Sequence, residues 1–180
     1  GAKHVADTIA AIRRRTPSTA VEVLVSDFHG DRASADIVIE ARPDVFNHNL
    51  ETVARLQRAV RPSAGYARSL GLLSRARNAG LRTKSGLIVG MGETDDEVRR
   101  ALDDLRAHDC HLLTIGQYLR PSKFHLPVLE YVHPDRFAAW QAYAESIGFE
   151  SVASGPLVRS SYHADLLAGT VKPGEASKAL

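Results

Sequence analysis

The side chains able to do chemistry in this sequence fall into short clusters. Asn47-His48-Asn49 sets three polar side chains in a row, able to donate and accept toward a ligand, although an asparagine capping a following helix would use the same residues. Lys84, Arg120 and Arg159 each stand near the end of an apolar run, where a cation can hold an anionic group such as a carboxylate. Lys84 could alternatively serve as a Schiff-base amine. Arg159-Ser160-Ser161-Tyr162 is denser in hydroxyls than a surface loop needs. Gly90-Met91-Gly92 permits positive φ and a close approach of a ligand to the backbone, and a tight turn requires the same freedom. His29, His125 and His163 are scattered singly. His108 and His111 flank Cys110 across a helix-to-strand junction, where their side chains need not converge on a metal, and Cys110 reads as a small buried hydrophobe.

The chain has 180 residues, enough for one domain with a real core, and its composition (44% hydrophobic, 24% charged) is that of a soluble globular protein. A net charge of +2 gives no electrostatic case for nucleic acid. No apolar stretch reaches the length of a membrane span, and no signal peptide is visible. The sequence nevertheless starts inside a helical pattern, so a segment upstream is expected. With a single cysteine, an internal disulfide and a multi-cysteine metal site are both excluded within these residues.

The elements that must position the clusters follow from periodicity. Val5, Ile9 and Ile12 predict a helix over 3–15, with Arg13-Arg14-Arg15 at its C-terminus, where cations suit the dipole. Val21 to Val25 predicts a strand, 32–41 a helix, 44–47 a strand, and 52–60 and 63–78 two further helices broken at Arg61-Pro62. The run 82–89 is a strand that ends at Gly90. Thr94 and Glu97 have capping-box spacing ahead of a helix to His108, with Val98, Ala101, Leu102 and Leu105 on one face. A strand over 111–116, a helix begun by His133-Pro134 with Phe137, Trp140 and Ile147 inward, and a strand over 150–154 complete the pattern. Residues 1–168 are expected to form one domain and 169–180 a disordered tail. Strands alternating with helices predict parallel βαβ units, and every polar cluster follows a strand, which puts the clusters on one rim of a barrel or doubly wound sheet. VEVLV would form a bare sheet edge, so an upstream element is expected to cover it.

FNHNLET, TKSGLIVGMGET, LTIGQYLRPS, HLPV…YVHPDRF and GPLVRSSYHAD, in this order and spacing, resemble the lipoyl synthase family over nearly the whole chain. Gly86-x-Ile88-x-Gly90-x-x-Glu93 also resembles the pattern that radical S-adenosylmethionine (SAM) enzymes place beside the adenosyl group. The resemblance implies a partial parallel (βα)6 TIM-like barrel, here missing its first βα units. It implies radical insertion of two sulfur atoms, at C6 and C8 of an octanoyl chain on a carrier-protein lysine. Two [4Fe-4S] clusters and SAM would be the cofactors. The partners would be an octanoylated lipoyl carrier domain and an electron donor such as ferredoxin or flavodoxin, with neither nucleic acid nor membrane. The setting would be the bacterial cytoplasm, with a mitochondrial-matrix counterpart.

The family's Cys-x3-Cys-x2-Cys and Cys-x4-Cys-x5-Cys motifs are missing from this sequence, so it reads as the C-terminal part of such an enzyme and is expected to be inactive alone. By resemblance, Ser161 would be the serine ligand of the auxiliary cluster, with Ser160 as the alternative. Asn47, Asn49, Lys84, Gly90 and Glu93 would line the SAM site. Gln117, Arg120 and Arg159 would line the cavity between the clusters. Two other readings stay open at this stage: a barrel aldolase or phosphate-site enzyme using Lys84, and a half-barrel that only binds a ligand or partner.

Overall fold

A computed structural model describes residues 1–162. The tail from 169, and the end of the last polar cluster from His163 onward, lie outside the described residues.

The elements are α1 (Ala2–Arg15), β1 (Glu22–Leu24), α2 (Arg32–Glu40), β2 (Val45–Asn47), α3 (Gln57–Val60), α4 (Tyr66–Asn78), β3 (Arg82–Val89), α5 (Asp95–Ala107), β4 (Leu112–Gln117), α6 (Pro134–Ser146) and β5 (Ser151–Gly155). The five strands form one sheet in the order β1-β2-β3-β4-β5, and every pairing is parallel. Each strand thus pairs with the next in sequence and the sheet always grows in the same direction, the progression of a barrel wall. The expected α/β partial barrel is observed. Among the described residues β1 is an edge, and its Leu24 is 55% exposed. No helix among the described residues is long and apolar enough to cross a membrane.

Parallel pairing puts partners on the same face, and the two faces differ in kind. Val23, Phe46, Leu87, Val89, Leu113, Ile115 and Val152 meet the helices in two apolar clusters. The other face carries Glu22, Asn47, Lys84, Gly86, Thr114 and Gly116, and it is called the inner face below. Phe137 and Trp140 pack edge to face on the helix side, with ring centroids 5.6 Å apart.

Helix α5 shows how local sequence sets an element. The Thr94 side chain accepts from the Glu97 N–H while the Glu97 carboxylate accepts from the Thr94 N–H, a complete capping box worth about 1 kcal/mol. Val98, Ala101, Leu102 and Leu105 are then buried as a single stripe.

The expected helix over 52–60 is not continuous. Glu51 bonds in parallel to β3, donating to the Gly86 carbonyl and accepting from the Ile88 N–H, and Val53 is extended and buried. Helical geometry cannot begin until these residues are passed, so a 3₁₀ turn over Ala54–Leu56 precedes the short α3. Helix α4 starts at Tyr66 rather than at 63, behind an extended Gly65.

Candidate functional site

The inner face converges on Lys84, the third residue of β3 rather than a strand-end residue. Its ammonium donates to both carboxylate oxygens of Glu22, at 3.0 Å each, and to the Ser160 carbonyl at 2.6 Å. The lysine side chain is fully buried, with Glu22 as its counter-ion. A Schiff-base lysine must offer its amine to a substrate. Lys84 has spent all its protons on protein acceptors, so the aldolase reading finds no support here.

Glu22 Oε1 also accepts from Asn47 Nδ2 at 2.7 Å. That contact fixes the amide's orientation, since a carboxylate can only accept. Asn47 Oδ1 is left buried without a partner. Asn49 repeats the arrangement: Nδ2 donates to Glu51 Oε1 at 3.1 Å, and Oδ1 is again buried and unpaired. Buried acceptors are normally satisfied, so two such oxygens, one on the last residue of β2 and one just beyond it, mark a place where a ligand's donors belong. A Cβ on Gly86 would lie 2.8 Å from both Asn49 Oδ1 and Thr114 Oγ1, so only glycine lets Asn49 lie across β3. Arg61 anchors the same segment by donating to the Asn49 carbonyl at 2.8 Å.

His48 faces the other way, as strand alternation requires. It is buried, its ring nitrogens lie 2.9 Å from the Val25 carbonyl and from Ser69 Oγ, and burial holds its pKa below the usual histidine range. Of the row Asn47-His48-Asn49, only the asparagines turn toward a ligand space.

Glu51 belongs to the site although sequence reasoning did not single it out. It has φ +70°, strained for a non-glycine residue, and burial raises the pKa of its carboxyl, with the Asn49 hydrogen bond opposing. It opens on a cavity of about 610 Å³ also lined by Arg61, Ile88, Met91, Tyr118 and His125, at the strand C-terminal rim. The sequence signal was a carboxylate directly behind the Asn47-His48-Asn49-Leu50 stretch. Glu22 was legible in a similar way, as the one charge inside an apolar strand.

Gly90 and Glu93 shape the turn after β3. One Glu93 oxygen accepts from the N–H groups of Gly90 and Met91, at 2.9 Å each, and the other is buried and unpaired. Gly90 has φ +109°, and a Cβ there would run into Gln117 Nε2 and the Glu130 carbonyl, atoms of the protein itself. Gln117 is occupied structurally: Nε2 donates to the carbonyls of Tyr118 and Glu130, and Oε1 accepts from the Val132 N–H. Arg120 braces its own loop through the carbonyls of His125 and Lys123.

The loop after β5 crosses the inner face. A Cβ on Gly116 would strike the Val158 carbonyl, so glycine there admits the loop. Tyr162 N–H donates to the Arg159 carbonyl at 2.9 Å, closing a turn that leaves Ser161 exposed and Ser160 half-buried. The Arg159 side chain bonds the Val158 carbonyl at 2.6 Å.

Two absent groups can be tested against these residues. The unpaired oxygens of Asn47, Asn49 and Glu93, with Asn49 bonded to the cavity residue Glu51, fit a polar ligand rich in N–H and O–H donors, as SAM is. A [4Fe-4S] cluster does not fit this chain alone. Cys110 precedes β4, at the opposite end of the strands from the rim; it is buried, and burial pushes its thiol up to about 12. His108 Nδ1 lies 2.7 Å from the Asp104 carbonyl and His111 Nδ1 lies 3.0 Å from the Thr83 N–H, so the flanking histidines diverge. Ser161 offers one hydroxyl.

A family model described as the radical SAM superfamily matches residues 2–105. Among curated proteins, the lipoyl synthase of Methylococcus capsulatus is 55% identical over 174 residues, covering 95% of this chain and 54% of that protein. The lipoyl synthase of Thiobacillus denitrificans is 52% identical over 178 residues, covering 97% of this chain and 57% of its own length. The chain therefore spans about half the length of the curated relatives it matches. Among solved structures, a domain of pyruvate-formate lyase-activating enzyme from Bacteroides vulgatus superposes with a TM-score of 0.56 at 11% identity, over 83% of this chain and 91% of that one, a likeness of fold.

Proposed function

The chain belongs to the radical SAM superfamily, and from that premise we propose that it is part of a lipoyl synthase, acting in the whole protein to insert sulfur at C6 and C8 of a protein-bound octanoyl chain. The observation that carries this reading is identity of 52–56% to lipoyl synthases over more than nine-tenths of the chain. Family membership implies a [4Fe-4S] cluster and SAM; a second cluster, an octanoylated carrier domain and an electron donor such as ferredoxin or flavodoxin belong to the proposal. When bound, these groups supply the radical that takes hydrogen from the octanoyl chain and the sulfur that replaces it.

The residues of this chain have defined parts in that scheme. Asn47 and Asn49 present unpaired acceptors to SAM, each held in orientation by a carboxylate. Glu51 sits at the edge of the cavity, and Ile88 and Met91 supply its apolar wall. Gly86 keeps the sheet surface low under Asn49. Ser161 presents an exposed hydroxyl in the loop after β5 as the auxiliary cluster's ligand, a harder donor than the usual thiolate and suited to a cluster that gives up sulfur. Arg159 sits beside it. Ser160 contributes through its backbone carbonyl, the atom that Lys84 holds.

The test is Ser161→Ala in the full-length protein, supplied with SAM, a reductant and an octanoylated carrier domain. Reductive cleavage of SAM should persist at near the wild-type rate, while lipoyl product falls to background. Ser160→Ala should be much milder, because alanine keeps the carbonyl. Product at the wild-type rate from Ser161→Ala would remove the serine from this role. A wild-type protein that binds SAM but neither cleaves it nor makes product would leave the non-catalytic half-barrel standing.

A further inference from the structure

Lys84 joins two parts of the molecule that the sequence keeps far apart. Its partner Glu22 lies on β1, at the edge of the sheet, and its third acceptor is the Ser160 carbonyl in the loop beyond β5, at the other end of the strand order. The lysine therefore spans the inner face, with no exposure of its side chain. The route is continuous in named atoms: Asn47 Nδ2 to Glu22 Oε1, Glu22 to Lys84 Nζ, and Lys84 Nζ to the carbonyl of the residue just before Ser161.

A buried ammonium has a desolvation cost that its counter-ion offsets, and replacing such a pair by apolar residues is often neutral or stabilising. Stability alone gives no reason to place this pair here. The contact to Ser160 supplies one. Within the loop, the hydrogen bonds of Val158 N–H, Tyr162 N–H and Arg159 Nη1 close on carbonyls between Gly155 and Arg159. The Lys84 contact reaches in from β3, which runs directly into the Gly90–Glu93 turn. It is also charge-assisted and short.

We infer that Lys84 is a positioning residue that pins the Ser160 carbonyl across the inner face and so sets where the Ser161 hydroxyl stands relative to the SAM-side asparagines. The inference rests on the proposed role of Ser161 as an auxiliary-cluster ligand. In this role Lys84 touches neither SAM nor the acyl chain. Its partner Glu22 acts at both ends, orienting Asn47 and neutralising the lysine. A loop held at one carbonyl in this way keeps its serine at a fixed place while leaving its hydroxyl free.

The experiment uses the full-length protein with two variants, Lys84→Met and the double variant Glu22→Gln with Lys84→Met. Lys84→Met removes the donor but strands the Glu22 charge. The double variant has no stranded charge, so it stays interpretable if the single one misfolds. Hydrogen exchange in the metal-free protein reads the amides of Val158 and Tyr162, both hydrogen-bonded within the loop. In the double variant they should exchange about tenfold faster or more, the scale of losing one charge-assisted hydrogen bond, with β3 and β4 amides unchanged. The Mössbauer signature of the auxiliary cluster in the reconstituted protein should change as well. Wild-type exchange in the double variant would overturn the inference, because Lys84 would then do no more than neutralise Glu22. Unchanged loop amides in both variants would also overturn it. Failure of the proposed Ser161 ligand role is separate: it would appear as an unaltered cluster signature in Ser161→Ala with Lys84 intact, while the exchange data still decide whether Lys84 pins the loop.

Discussion

The side-chain amide of Gln117 occupies the place where Gly90 would carry a Cβ. Together with the Glu130 carbonyl it closes over the glycine, whose own carbonyl accepts from the N–H groups of Leu129 and Glu130 at 2.9 and 3.2 Å. Gly90 is thus bound first by the protein's own segment 129–132.

Gly90→Val should accordingly act on folding. The variant combines strain at φ +109° with a clash against backbone, and a loss of about 3 kcal/mol or more is expected by urea unfolding. Gly90→Ala should lose less, in the same direction. A Gly90→Val protein of wild-type stability with weakened SAM binding would instead place the ligand against this residue.

Asn49→Ala should weaken SAM binding about three- to tenfold, the worth of one neutral hydrogen bond, with iron content unchanged. Asn47→Ala should cost more stability, because Glu22 would lose one of its donors. Calorimetric titration checks both. Unchanged affinity in Asn49→Ala would mean that its unpaired oxygen does not meet the ligand.

The Glu97 carboxyl is held down from its ordinary 4.5 to about 2, first by the Arg55 hydrogen bond and then by the Thr94 N–H. A carboxyl depressed in the folded state stabilises above its unfolded pKa and loses that contribution as pH falls toward the folded value. The stability gap between wild type and Glu97→Gln should therefore be full above about pH 4.5 and fade on acidification toward about pH 2. Thr94→Ala, which removes the other half of the cap, should cost about 1 kcal/mol at neutral pH. A gap that widened on acidification would contradict the assignment.

Cys110→Ala in the full-length protein should leave the iron content unchanged. The thiol is buried, raised to about 12, and bonded to the Thr83 and Leu112 carbonyls at 3.9 and 3.5 Å. The expected change is a loss of about 1–2 kcal/mol from the core, read by thermal unfolding. A drop in bound iron would make Cys110 a ligand.

The sequence by itself determined what short-range physics controls. The apolar period of α5, its Thr94–Glu97 cap, the turn glycines and the alternation of strands with helices are each decided within a few residues, and together they required a parallel α/β wall with its polar clusters at one end. The motif order was also legible, because each cluster is a contiguous stretch. The partnerships on the inner face were not. Glu22 and Lys84 stand 62 residues apart, and only strand order and register bring them together. Whether a buried cation at Lys84 waits for a ligand or is already paired depends on that long-range placement, as does the fate of Gln117, whose amide is consumed by segment 130–132. The helix expected from Thr52 failed for the same reason, since parallel bonding of Glu51 to β3 outweighed the local preference of the residues that follow. Local propensity is worth tenths of a kcal/mol per residue, whereas a buried charge or an unsatisfied backbone group costs several times that, so where the two compete tertiary packing decides.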